Sequence, residues 1–322
     1  MSTKTQDLAP LPAHPASLTR CRARATHEAL ALADARVAWG GFCPRLRSLG
    51  GPHFFVIGET GSGKTILLKL LMYSVLSDKE YDLRYRSLVF DPKGEFLPFL
   101  ARCGVPSHAI ILTNPLDARC SAWDISADIT DRADASALAE AIVPTTSPSG
   151  DALQGDHLFW NQASNQVVRP VIDGFNARCP GAWDLRDVVL ACMNAQHLQT
   201  ILSLTYAGSC TAKQFLLADK KLAGNILATL AAVMSPLELV ANLWHHASSR
   251  FSIRDWASGS GVLLLSGSKE HAEITRVANN MLVRSAIQMV LSKPEDKSGD
   301  YTWFFLDELR QAGRFPNFSS LL

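Results

Sequence analysis

The stretch that most constrains this chain is residues 54–65, Phe-Phe-Val-Ile-Gly-Glu-Thr-Gly-Ser-Gly-Lys-Thr. A short apolar run enters a glycine-rich loop, and a lysine and a threonine close it. Gly58, Glu59, Thr60, Gly61, Ser62, Gly63, Lys64 and Thr65 have the spacing of a phosphate-binding loop. Glycines let the backbone turn so that several N–H groups converge, and the helix N-terminus that follows adds positive partial charge. In such a loop the lysine reaches the β- and γ-phosphates of a nucleotide and the threonine offers its hydroxyl to Mg²⁺. A kinase, a GTPase, a helicase and a DNA pump all start from this element, so the rest of the chain has to discriminate.

The flanks predict an α/β fold. Phe54–Ile57 reads as a buried parallel strand, Ile66–Leu76 as a helix, and Ser87–Phe90 and Ala109–Leu112 as two further strands. Strand, loop, helix, strand is the opening of a parallel sheet. The middle of the chain differs. From about Ala135 to Ser249 apolar residues recur at helical spacing, with breaks expected at 147–150, 179–181 and Gly208. Strand character returns at Gly261–Leu265, a helix is expected from Glu270 to about Leu291, and Thr302–Leu306 is the last strand. Residues 1–20 read as a flexible tail and 24–39 as a helix.

That last strand ends on a second chemical signal, Asp307-Glu308. Open α/β sheets bind ligands at the C-terminal ends of their strands. Asp307 is placed to hold Mg²⁺ together with Thr65, and Glu308 to polarise an attacking water as general base. A glutamate directly after the metal aspartate favours hydrolysis of ATP over transfer to a substrate hydroxyl. Asp91-Pro92-Lys93-Gly94-Glu95 ends the second strand at the same sheet edge; it reads either as charges near the nucleotide or, more simply, as a turn.

Bulk properties exclude some alternatives. The 322 residues are 47% hydrophobic and 19% charged, which is globular rather than disordered. A formal net charge of +1 excludes a polycation that holds nucleic acid by its overall field. The seven cysteines form no Cys-x-x-Cys pair, which argues against a zinc site or a disulfide framework and for a reducing compartment. No membrane span is read in the chain; the best N-terminal candidate, Ala29–Cys43, is interrupted by Asp34 and Arg36. Localisation is therefore expected to be cytoplasmic.

Several stretches together resemble one family, the TraD-like type IV secretion coupling proteins, conjugation ATPases of the P-loop, RecA-like class. Gly-x-Thr-Gly-Ser-Gly-Lys-Thr at 58–65 is followed by Val-Phe-Asp-Pro-Lys-Gly-Glu at 89–95 and Leu-Thr-Asn-Pro-Leu-Asp-Ala-Arg-Cys-Ser-Ala-Trp at 112–123. Ala-Ile-Val-Pro stands at 141–144, Phe-Trp-Asn-Gln-Ala at 159–163, Phe-Ser-Ile-Arg-Asp-Trp at 251–256 and Phe-Phe-Leu-Asp-Glu-Leu-Arg-Gln-Ala-Gly-Arg-Phe-Pro at 304–316. The resemblance covers about residues 50–322. It implies a RecA-like nucleotide-binding core with a parallel sheet, interrupted by an all-α domain. The expected division is 1–50 tail and helix, 51–130 first part of the core, 131–250 all-α domain, and 251–322 second part of the core. It implies ATP and Mg²⁺ as cofactors. As partners it implies single- or double-stranded DNA, a relaxase or relaxosome, the type IV secretion channel and a homo-hexameric ring at the inner membrane. Few phosphate-contacting loops would give salt-dependent binding with little sequence preference.

Departures from the family pattern shape the remaining expectations. Relatives usually begin with transmembrane helices. Some carry an arginine before the P-loop strand, where this chain has Pro52. Fifteen residues follow Asp307, whereas the family continues with a sensor strand that lies between the P-loop strand and the Asp-Glu strand. The sheet is therefore expected to carry a gap, and the 322-residue chain to show little ATPase activity. A truncated non-hydrolysing adaptor and another ring-forming DNA motor are the alternative readings. Arg119 and Arg254 are expected to contact a neighbour's nucleotide or to form structural ion pairs, Trp160 and Trp256 to pack, and Lys220-Lys221 to be a solvated face.

Overall fold

A parallel sheet needs apolar residues on both faces, and the strand sequences supply them. In the computed structural model, residues 54–59, 61–76, 86–145, 155–292 and 302–308 are described. Helix α1 (Lys64–Leu76) starts at the loop lysine and is followed by β1 (Arg86–Asp91), α2 (Phe96–Arg102), β2 (Ile110–Leu112) and β3 (Ser121–Trp123). A helical block follows: α3 (Ile125–Asp128), α4 (Arg132–Ile142), α5 (Asp156–Arg178), α6 (Leu185–Met193), α7 (Ala195–Leu202), α8 (Tyr206–Ala212), a π-helical turn (Lys213–Leu217) and α9 (Lys220–His245). The chain closes through β4 (Ser249–Phe251), α10 (Ile253–Ser258), β5 (Gly261–Ser266), α11 (Ala272–Leu291) and β6 (Thr302–Leu306).

Four strands form one parallel sheet in the order β2-β5-β1-β6. Each strand alternates between two apolar layers. Leu88 and Phe90 of β1 and Leu263 and Leu265 of β5 face the layer shared with the helical block and α11. Val89, Val262, Leu264 and Phe305 face the layer of α1 and α2, where Leu71, Met72, Val75, Leu76, Phe96 and Leu100 are buried. The core is thus a sheet between two helical layers, and α1 is anchored on it by four of its side chains. β3 and β4 pair separately, in parallel, at the base of the helical block.

The helical block begins and ends on one buried carboxylate. Asp128, 1% exposed, accepts from Trp123 Nε1 (2.6 Å), Ser252 Oγ (2.6 Å), Ile253 N (2.7 Å) and Arg254 N (3.0 Å). Residues on either side of a hundred-residue excursion are therefore pinned together by the motif Ser-Ile-Arg-Asp-Trp and the Trp123 strand. α9 is long and apolar enough, by length and composition alone, to cross a membrane. In this fold it is a helix of the block, with Ala223, Ile226, Leu230, Met234, Leu237, Val240, Ala241 and Trp244 buried at helical spacing.

Two sequence expectations need correction. Phe54–Ile57 is not a strand: residues 54–59 carry no regular structure, and Phe55 and Ile57 are 75% and 82% exposed. Among the described residues this run pairs with no strand of the four-stranded sheet, whose edges are β2 and β6. Gly208 is not a break. It lies inside α8, which is capped by Thr205, whose Oγ1 accepts from Gly208 N (3.0 Å). A Cβ at 208 would sit 2.3 Å from Leu202 O, so glycine serves a close chain approach there. The expected tail, the helix at 24–39 and the break at 147–150 lie outside the described residues.

Candidate nucleotide-binding site

The phosphate-loop geometry follows from two glycines. Gly61 (φ 84°) and Gly63 (φ 89°) occupy the left-handed region, yet a Cβ at either would meet nothing within 4 Å. Conformation rather than space demands glycine at both. The loop turns on Ser62 N to Glu59 O (3.2 Å), and α1 opens with Leu67 N to Gly63 O (3.0 Å). Lys64 Nζ donates to Gly58 O (2.8 Å) and Glu59 O (2.6 Å), so its ammonium folds back over the loop. Thr60 lies outside the described residues.

The strand ends converge on this loop. Asp307 N bonds Phe90 O (3.3 Å), which extends the β6–β1 ladder by one residue and places the Asp307 carboxylate beside α1. Thr65 Oγ1 lies 3.3 Å from both Asp307 oxygens, across 242 residues of sequence. The next residue, Glu308, has φ 50°, the one positive φ outside glycine among the described residues. A non-glycine residue in that region costs about 1 kcal/mol and is held by its surroundings. Its carboxylate is met by Lys93, whose Nζ is 2.6 Å from Glu308 Oε1. The lysine keeps the Glu308 carboxyl below the usual carboxylate range, and the hydrogen bond to Glu308 raises Lys93 above its own.

Asp91-Pro92-Lys93-Gly94-Glu95 is a turn and also reaches the site. Buried Asp91 accepts from Glu95 N (3.0 Å) and Phe96 N (2.7 Å), which starts α2. Burial pushes its carboxyl up. Asp91 is thus spent on the backbone, whereas Lys93 faces Glu308 and Glu95 pairs with Lys269 (2.9 Å). The turn is pressed onto the loop after β5: Gly267 N donates to Asp91 O (2.7 Å), and a Cβ at Gly267 would lie 2.2 Å from Pro92 O. Gly267→Ala is therefore expected to force the two loops apart and lower stability by about 3 kcal/mol in urea unfolding. A loss below about 0.5 kcal/mol would show that the loops are not in contact.

The donor set suits a hard divalent ion bound through phosphates. Mg²⁺ takes one or two protein oxygens and completes its shell with phosphates and water. A threonine hydroxyl beside a carboxylate, at the N-terminus of a helix opened by left-handed glycines, provides that. Among the described residues no group of three or more His, Cys, Asp or Glu could hold a metal alone.

Other residues singled out in the sequence lie elsewhere. Arg119 makes a bidentate pair with its own Asp117 (Nε–Oδ1 2.9 Å, Nη2–Oδ2 2.7 Å), and Arg254 bonds Asp128 O (2.8 Å) and Asp134 (3.4 Å). Both make intrachain bonds of the structural kind and remain partly exposed, 69% and 45%. Trp256 is buried and Trp160 packs partly buried against the core. Lys220 and Lys221 are exposed. His245 Nδ1 lies 2.7 Å from Asp184 Oδ2. Lys93 is the site residue that sequence reasoning undervalued; its one signal was its place at a strand end on the loop's edge of the sheet.

Residues 38–322 match the family described as type IV secretion-system coupling protein DNA-binding domain. Coupling protein TraD of Escherichia coli (strain K12) is 26% identical over 293 residues, covering 88% of this chain and 37% of that protein. Among solved structures, the unbound monoclinic form of the bacterial conjugative coupling protein TrwBΔN70 superposes with a TM-score of 0.70 at 22% identity, covering 90% of this chain and 62% of that one. TrwB in complex with the non-hydrolysable ATP analogue ADPNP gives 0.67 at 24% identity, covering 86% and 61%. TrwB in complex with ADP and Mg²⁺ gives 0.65 at 22%, covering 84% and 59%. These structures share the fold. The chain spans 37% of the curated relative's length and about three fifths of the solved chains.

Proposed function

This chain belongs to the type IV secretion-system coupling proteins, and from that premise we propose that it binds ATP with Mg²⁺ and couples ATP hydrolysis to the movement or recruitment of single-stranded DNA with its relaxase. One observation carries the nucleotide reading: the Thr65 hydroxyl and the Asp307 carboxylate, 242 residues apart, meet at 3.3 Å beside the phosphate loop. TrwB, which shares the fold, has been solved with ADPNP and with ADP and Mg²⁺. The proposed division keeps 51–130 and 251–322 as the nucleotide-binding core and 131–250 as the all-α domain.

Each residue has a distinct task. The backbone of 58–65 would wrap the phosphates, and Lys64 would leave the Gly58 and Glu59 carbonyls for the β- and γ-phosphates. Thr65 and Asp307 would hold Mg²⁺, the aspartate through water. The ion, when bound, draws charge from the phosphates. Glu308 is ionised and stands next to Asp307, where it would orient a water and take its proton. The family context supports DNA, a relaxase and the secretion channel as partners, a homo-hexamer as the assembly and the inner membrane as the place of work.

Titration with ADPNP, with and without Mg²⁺, tests the binding step. Micromolar binding that weakens at least tenfold without Mg²⁺ is expected. Glu308→Gln should keep ATP and lose any hydrolysis that the unaltered chain shows with single-stranded DNA. Normal turnover in that variant would remove Glu308 as the base.

A further inference from the structure

Around the phosphate loop the charges do not balance on their own. Asp307 and Glu308 are adjacent carboxylates, and Lys64 is the loop's own cation. Asp91 is buried and committed to backbone N–H groups, and Glu95 is matched by Lys269. Among the described residues Lys93 is the remaining cation at the strand ends, and it pairs with Glu308. Its place is fixed from both sides. Gly94 turns at φ 70° behind it, and Gly267 lies in backbone contact with Pro92 before it. The side chains are about a third exposed, 34% for Lys93 and 36% for Glu308. A pair that open contributes only modestly to folding; what it fixes is the Glu308 carboxylate, held beside Asp307 at the strand ends.

We propose that Lys93 is the positioning residue for Glu308: it holds the carboxylate at the rim of the cradle and cancels its charge there, so that a nucleoside triphosphate enters a site already bearing Asp307. The proposal rests on the nucleotide reading above and adds a residue to it. A γ-phosphate brings the ligand's charge closest to the rim, so the lysine discriminates triphosphate from diphosphate. Without Lys93 the bare Glu308 charge repels the γ-phosphate; without both, the repulsion disappears.

The test is a double-mutant cycle of Lys93→Met and Glu308→Gln on the full chain, titrated with Mg²⁺·ADPNP and Mg²⁺·ADP. Lys93→Met is expected to weaken ADPNP about tenfold and ADP less than about threefold, as expected for one unit charge near the γ-phosphate. Lys93→Arg should stay within about threefold of the unaltered chain, since it keeps the charge and the reach. In the Glu308→Gln background, Lys93→Met should cost less than about threefold. An undiminished tenfold loss there would mean that Lys93 binds phosphate directly, and no loss in the single variant would remove its role; either overturns the proposal. Thermal unfolding of the same four proteins without nucleotide decides the pair independently. Losses in Tm that fall short of additive by about 1–3 °C support the contact, and additive losses refute it. Absence of nucleotide binding by the unaltered chain, unchanged in Lys64→Ala, would defeat the functional reading; the unfolding cycle would then decide the pair alone.

Discussion

Lys64→Ala is expected to abolish nucleotide binding while leaving the fold intact. The Lys64 ammonium sits 2.8 and 2.6 Å from the carbonyl oxygens of Gly58 and Glu59. Those contacts are local and exposed, so their loss costs folding about 0.5 kcal/mol or less. The same ammonium is the loop's one mobile cation for phosphate oxygens. A hydrogen bond to a charged group contributes about 1.5–3 kcal/mol, and two of them exceed a hundredfold in affinity. Calorimetric titration of Lys64→Ala with Mg²⁺·ADPNP should give no heat at concentrations that saturate the unaltered chain, with the two melting curves nearly superimposed. Binding within tenfold of the unaltered chain would show that the nucleotide sits elsewhere.

The largest effect on stability is expected at Asp128. Its carboxylate accepts four hydrogen bonds, from the indole of Trp123, the hydroxyl of Ser252 and the backbone N–H groups of Ile253 and Arg254. Alanine would leave four donors without a partner in a place that is 1% exposed. Each unsatisfied buried donor costs about 1–3 kcal/mol, and partial relaxation brings the total to roughly 4 kcal/mol. Asparagine keeps one acceptor oxygen and should lose about half as much. Because Asp128 joins the entry and exit of the helical block, the block should unfold with the sheet in one transition, not after it. Urea unfolding followed at tryptophan and backbone signals measures both. A loss below about 1 kcal/mol for Asp128→Ala would show that the junction is held by other contacts.

The parallel sheet could be read from the chain because its strands are short, apolar on both faces and closed by polar turns. β1, β5 and β6 fall where the apolar runs of 87–90, 261–265 and 302–306 place them. Thr65 and Asp307 could be paired in advance because phosphate-loop chemistry requires a hydroxyl and a carboxylate on one ion. Phe54–Ile57 misled for a physical reason: an apolar run reports burial on two faces, but a strand also requires a neighbour's backbone, and sequence carries no sign of that neighbour. Gly208 misled in the opposite way, since its lack of a Cβ answers a tertiary approach to Leu202 and not a turn. Lys93 was obscured because its partner is 215 residues away and becomes adjacent only when β1 and β6 pair in parallel register.

A crystal structure of the chain with ADPNP and Mg²⁺ tests the central claim, that the two halves of the chain build one nucleotide site, most directly. The metal is expected about 2.1 Å from Thr65 Oγ1, with the Asp307 carboxylate bonded to a metal-bound water. Lys64 is expected to have moved from the Gly58 and Glu59 carbonyls onto the phosphates. A nucleotide bound away from residues 58–65, or a metal held without Thr65 and Asp307, would contradict it.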